Sequence, residues 1–245
     1  MTFCKGCSRN VLVGLLVSFI WMMSGIFAPA VLANGFVPSN PGRPGNRVGG
    51  GVRGCLSGVP PRLMAMIPDS NLGYTTQDYP NFYAYVPNNT SPLMEFSLFK
   101  TDATGENRQL LYRSVMPSQQ TAGIVRFSLP EDVGVAPLDY GQDYQWSVAL
   151  ICDVNSPRAA LRTLSWVQRV APEDELVAQL ANADLSQQAR LYAENGFWFD
   201  ALDSFVALRN ENPEDVDIQQ RWQEFLTSVE LDAIVDQSVT DARAE

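Results

Sequence analysis

The chain has 245 residues, with 27 acidic against 17 basic side chains, a formal charge of −10 and no histidine. Without histidine the commonest general base near neutral pH and the commonest metal ligand are both missing, so Ser-His-Asp, Cys-His and histidine-bearing zinc sites are excluded. The acid excess repels nucleic acid and anionic lipid headgroups and favours solubility or basic partners.

Residues 1–33 read as a secretory signal. Lys5 and Arg9 supply the positive start, Val11 to Phe27 the apolar stretch, and Ala28-Pro-Ala30 or Val31-Leu-Ala33 the small residues for cleavage. An apolar run of about 17 residues barely spans a bilayer. The expectation is a periplasmic or secreted protein with no stable membrane anchor after cleavage. Cys4 and Cys7 fall in the removed segment. Cys55 and Cys152 remain, and an even count in an exported chain predicts one disulfide between them. Closing so long a loop contributes about 4–5 kcal/mol in the chain-entropy model.

Residues 34–54 are rich in Gly, Pro and Asn and carry Arg43, Arg47 and Arg53. They hold too little apolar surface to order themselves and read as a flexible linker. Residues 55–170 read as short strands separated by turn residues: Arg62–Ile67, Phe82–Val86, Met94–Lys100, Gln109–Val115, Ile124–Leu129, Tyr144–Asp153 and Leu161–Arg169. Seven strands at this spacing predict an immunoglobulin/fibronectin-like β-sandwich. Alternation puts Tyr144, Trp146, Val148, Leu150 and Cys152 on one face of their strand. Leu138, Gly141 and Tyr144 resemble the corner of fibronectin-type modules, in which a strand-opening tyrosine returns its hydroxyl to the preceding backbone.

Residues 171–236 read as a small helical region, which completes an α+β chain in two parts, and 237–245 as a disordered tail. Helices are expected from Pro172, with Leu176, Val177 and Leu180 as the first apolar face. A capping box at Asp184 and Gln187 opens the next. Asn195-Gly196 stops it; Asn212-Pro213 ends the one after and is expected to cap the last. Ala189, Tyr192, Gly196, Ala201, Phe205 and Pro213 resemble the spacing of a tetratricopeptide hairpin, although Leu185 and Leu208 stand where that motif prefers Trp and Ala. Residues 171–245 carry 17 acidic and 4 basic side chains. Their carboxylates, Asp200 and Asp203 included, are expected at helix starts or on solvent faces.

No phosphate-binding glycine loop occurs, and the cysteines cannot complete a zinc site; no cofactor, metal or catalytic residue is expected. Trp198, with Phe197 and Phe199, is the candidate partner-binding cluster, because three aromatics at one helix start compete for inward positions and tryptophan is favoured at binding hot spots.

Gly49-Gly-Gly-Val-Arg-Gly-Cys55, Ala65-Met-Ile-Pro68, Asn71-Leu-Gly73, Tyr79-Pro-Asn-Phe82, Trp166-Val-Gln-Arg169 and Gly196-Phe-Trp-Phe-Asp-Ala-Leu202 together resemble the domain of unknown function 928 family. That resemblance implies an exported, cyanobacterial setting and brings no activity or ligand. The expected role is an exported non-catalytic protein-interaction or adaptor module, with an unknown protein or polysaccharide partner in the envelope and no nucleic acid. A carbohydrate-binding or carboxylate-based glycoside-acting protein and a structural envelope component are the alternatives.

Overall fold

A computed structural model describes residues 35–50, 62–130, 134–156 and 160–242. The signal read at 1–33, and Cys55, lie outside these described residues. The strands are β1 (Asn46–Gly50), β2 (Met64–Ala65), β3 (Leu72–Thr75), β4 (Phe82–Val86), β5 (Leu93–Thr101), β6 (Arg108–Pro117), β7 (Gly123–Phe127), β8 (Asp143–Ile151), β9 (Leu161–Arg169) and β10 (Val239–Asp241). The seven expected strands are all present, but not as a sandwich. They form one curled half-barrel sheet in the order β10-β7-β4-β2-β1-β9-β8-β5-β6, with β3 added in parallel to β9. Turn-punctuated short strands are equally compatible with a sandwich or a barrel. The deciding strand is β1, which pairs with both β2 and β9 and so joins what would have been two sheets.

The curl follows from the aromatic contacts. Phe82 and Phe127 stand near one end of the sheet path, Trp146 and Phe96 near the other. Phe82 nevertheless lies 5.2 Å from Phe96 and 5.1 Å from Trp146, and Phe96 stacks on Phe127 at 5.2 Å. Within a single sheet, only rolling brings these four rings together.

Three segments outside the expected strands are ordered. Residues 35–50, read as flexible linker, carry β1 and two anchoring arginines. Arg47 donates to Ile67 O at 2.9 Å and Val229 O at 2.8 Å, tying the sheet to the last helix. Arg43 pairs with Asp143 at 2.9 Å. The linker reading counted apolar side chains and missed backbone pairing and charge. Leu72–Thr75, read partly as turn, becomes β3 once Asn71 has turned the chain at φ 57°, with its amide donating to Pro44 O and Leu164 O. The tail read as disordered from residue 237 instead places β10 parallel to β7, and Asp241 accepts from Arg126 at 2.6 Å.

The helices are α1 (Asp174–Leu180), α2 (Leu185–Glu194), α3 (Trp198–Glu211) and α4 (Val216–Thr227), followed by a 3-10 turn at Asp232–Ile234. The Asp184–Gln187 capping box opens α2, and Gly196 takes φ 78° between α2 and α3. Asp215, not Asn212, caps α4, and Val177 is exposed while Leu176 is buried. The helices share their core with the sheet. Phe199 lies 5.4 Å from Phe82 and 6.3 Å from Trp146, at the end of the ring cluster.

Candidate functional site

The outer face of the half-barrel carries a trough of about 590 Å³ across β5, β6, β8 and β9, lined by both charged and apolar side chains. Strand alternation builds it, with a bulge in β6 at Leu111 that keeps Arg108 and Leu110 on the face of Arg113. Glu95, Ser97 and Phe99 of β5 face the same way as Arg108, Leu110 and Arg113 of β6, Ser147 of β8, and Arg162 and Leu164 of β9. Glu95 is the buried centre, with 6% of its side chain exposed. Arg113 donates to Glu95 Oε2 through Nε at 2.8 Å and through Nη2; Arg162 donates to Glu95 Oε1 at 3.0 and 3.1 Å and to Ser147 Oγ at 3.1 Å. Arg108 lies 5.8 Å from the Phe99 ring and, among the described residues, forms no ion pair.

Burial pushes the Glu95 carboxyl up, but the hydrogen bonds and charges of Arg113 and Arg162 more than offset it, so the group is held below its usual value. Glu95 therefore stays anionic and orients two guanidiniums, and three arginines against one carboxylate line the trough. The trough offers fixed positive charge, hydroxyls and an apolar flank, not a group poised for proton transfer. At one end the β5–β6 turn is held by Asp102, which accepts from the Thr104 side chain, Asn107, and the backbone N–H groups of Gly105 and Thr104; these bonds hold its carboxyl down at about 2.

A second recess, of about 340 Å³, lies between α2–α3 and β3–β4 and is lined by Asp200, Asp203, Tyr79 and Tyr192 among others. Both acids were expected in solvent. Asp200 is 5% exposed and accepts from Thr76 N, Thr76 Oγ1 and Gln77 Nε2. Its pKa is raised because burial outweighs those bonds. Asp203 accepts from Asn81 at 2.9 Å and from the Tyr83 hydroxyl, and burial with the adjacent Asp203 charge keeps Tyr83 protonated far above its ordinary range. Three residues apart on one helix, the two carboxylates anchor α3 to the sheet.

The aromatic cluster read as a partner site is inside the protein. Trp198 is fully buried, stacks on Phe225 at 4.8 Å, and donates from Nε1 to Met66 O at 2.9 Å. Phe199 caps the barrel rings, and Phe197 packs with Leu176 and Leu191 of α1 and α2. All three find inward positions because three separate surfaces converge on the start of α3. Cys152 sits half-buried beside the core at the end of β8, its Sγ 3.7 Å from Leu150 O. The expected partner Cys55 is outside the described residues. Sequence reasoning missed the trough. Its only signal was arginine recurring on strands that otherwise lack basic residues, and no local motif connects Arg113 to Arg162.

The family model described as Domain of Unknown Function (DUF928) matches residues 48–239. No curated protein and no solved structure matches the chain.

Proposed function

We propose, from the premise that the chain belongs to the DUF928 family of unknown function, that it is an exported, non-catalytic interaction module whose site is the outer-face trough and whose ligand is anionic. One observation carries this reading: Arg113 and Arg162 hold a single carboxylate and Arg108 lines the same trough with Phe99, Leu110 and Leu164, in a protein that is otherwise strongly acidic. Paired guanidiniums suit carboxylate or phosphate groups, and the apolar flank suits a ligand with a hydrocarbon part. Export rests on the signal read at residues 1–33, and the cyanobacterial envelope is the setting that the family resemblance implies. The test is calorimetric titration of the mature chain with glutarate and with its diamide. Saturable binding of the dianion that Arg108→Ala weakens supports the reading; no binding, or equal binding of the diamide, ends it.

A second reading, a carboxylate-based glycoside-acting protein, draws on the cleft where Asp200 and Asp203 stand beside Tyr79 and Tyr192. It is weaker because both carboxylates already hold protein donors. Hydrolysis of an envelope oligosaccharide that is abolished by Asp203→Asn in a folded variant would favour it.

A further inference from the structure

We infer that β6 is the acceptor edge for an extended segment of another protein in which apolar and acidic residues alternate. This rests on the reading of the trough as the binding site and adds the form of the ligand. β6 is the last strand of the sheet path, and among the described residues only β5 pairs with it. One side of a ten-residue strand therefore presents backbone N–H and C=O groups in the arrangement that accepts an added strand.

Two recesses flank that edge. On the outer face, Arg108, Leu110 and Arg113 rim the trough. On the inner face, Tyr112 and Met116 line a cavity of about 310 Å³ with Phe96 of β5 and Phe127 of β7, bordered by the Arg126–Asp241 ion pair, at the seam where the two ends of the sheet approach one another. Successive side chains of a strand point to opposite faces, and a bulge at Leu111, skipped in the pairing with β5, returns Leu110 and Arg108 to the face of Arg113. A strand laid along β6 sends every second residue into the seam, toward Phe96, Tyr112, Met116 and Phe127, and sets the intervening residues opposite Arg108 and Arg113, with Cβ atoms about 4.5–5.5 Å apart. Apolar residues complement the first set and carboxylates the second. The exposed Leu110 and Val115, 50% and 44% accessible, lie along the same edge. A second copy of this chain fits poorly: β6 contains two arginines and no acid, so pairing β6 with β6 brings like charges together.

The experiment uses the mature chain and three probes: an end-blocked octapeptide of alternating Glu and Val, its Lys–Val counterpart, and glutarate. Binding is read by calorimetry, and hydrogen exchange of residues 108–117 by mass spectrometry. The expected result is binding of the Glu–Val peptide with slowed exchange in β6, none by the Lys–Val peptide, and at least about ten-fold weaker binding by Arg108→Glu, whose unchanged melting curve shows that it folds. A Glu–Val peptide methylated on alternate backbone nitrogens is expected to lose both effects. Binding of glutarate with an inert peptide, or peptide binding without protection of β6, overturns strand addition while leaving the trough as an anion site. Binding of no probe removes both readings. A self-association seen by sedimentation and abolished by Arg108→Glu assigns the edge to a second copy and overturns the proposal.

Discussion

Arg47→Met tests whether the segment before β2 is part of the fold. Arg47 is 13% exposed along its side chain and donates to two carbonyls, Ile67 O on the sheet side and Val229 O just after α4. A hydrogen bond from a charged group contributes about 1.5–3 kcal/mol net. Methionine keeps the apolar stem and leaves both carbonyls without that donor. Part of the loss is offset, because burial disfavours the guanidinium and lowers its pKa. The balance is about 2–3 kcal/mol of lost stability. In a chain of this size each kcal/mol moves Tm by about 2–4 °C, so a drop of about 4–12 °C is expected. Circular dichroism melts and urea titrations of the wild type and variant measure it. A change below about 0.5 kcal/mol, the ordinary level for a surface substitution, would refute the argument and return residues 35–50 to a flexible linker.

Trp198→Ala is expected to cost about 3–5 kcal/mol in a urea titration, and Trp198→Phe less, because the latter keeps the stack on Phe225 and loses the bond to Met66 O; a neutral effect on stability would reinstate Trp198 as a surface anchor. Gly73→Ala places a Cβ 2.6 Å from Phe199 Cε2, and the overpacking is expected to cost about 1–3 kcal/mol; an unchanged melt would show that α3 does not press on β3. The folded pKa of Glu95 lies below its unfolded value of 4.5, so its stabilisation is complete above that value and is lost as pH falls through the folded pKa. The stability gap between wild type and Glu95→Gln is therefore expected to close as pH drops below the carboxylate range, and a gap that persists in acid excludes the Arg113–Glu95–Arg162 cluster as its source. Peptide mapping without reductant is expected to recover a Cys55–Cys152 cross-link; alkylation of both thiols in the untreated protein removes it.

Local chemistry was legible in the residues to a fine grain. Tyr144 does return its hydroxyl to the preceding turn, accepting from Asp139 N at 2.9 Å, although the fold around it is not the one in which that corner is familiar. β4 and β9 begin and end at the expected residues. The capping box and the left-handed Gly196 fall where short-range hydrogen bonding places them. Each of these depends on neighbours within a few positions. The trough was not legible, because Glu95 meets Arg113 and Arg162 across 18 and 67 residues. The inward fate of Trp198 was hidden for the same reason: its hydrogen-bond acceptor is Met66, 132 residues away.

The order of side chains along the chain was enough to place seven of the ten described strands, the helices and the cap of α2, because turn chemistry and hydrophobic period act locally. Tertiary structure decided that β1 stitches the strands into one rolled sheet, that the aromatics at the start of α3 close its end, and that arginines from separate strands gather around one buried carboxylate. Those outcomes depend on which distant surfaces meet, and a contact between distant residues leaves no periodic trace in the sequence that makes it.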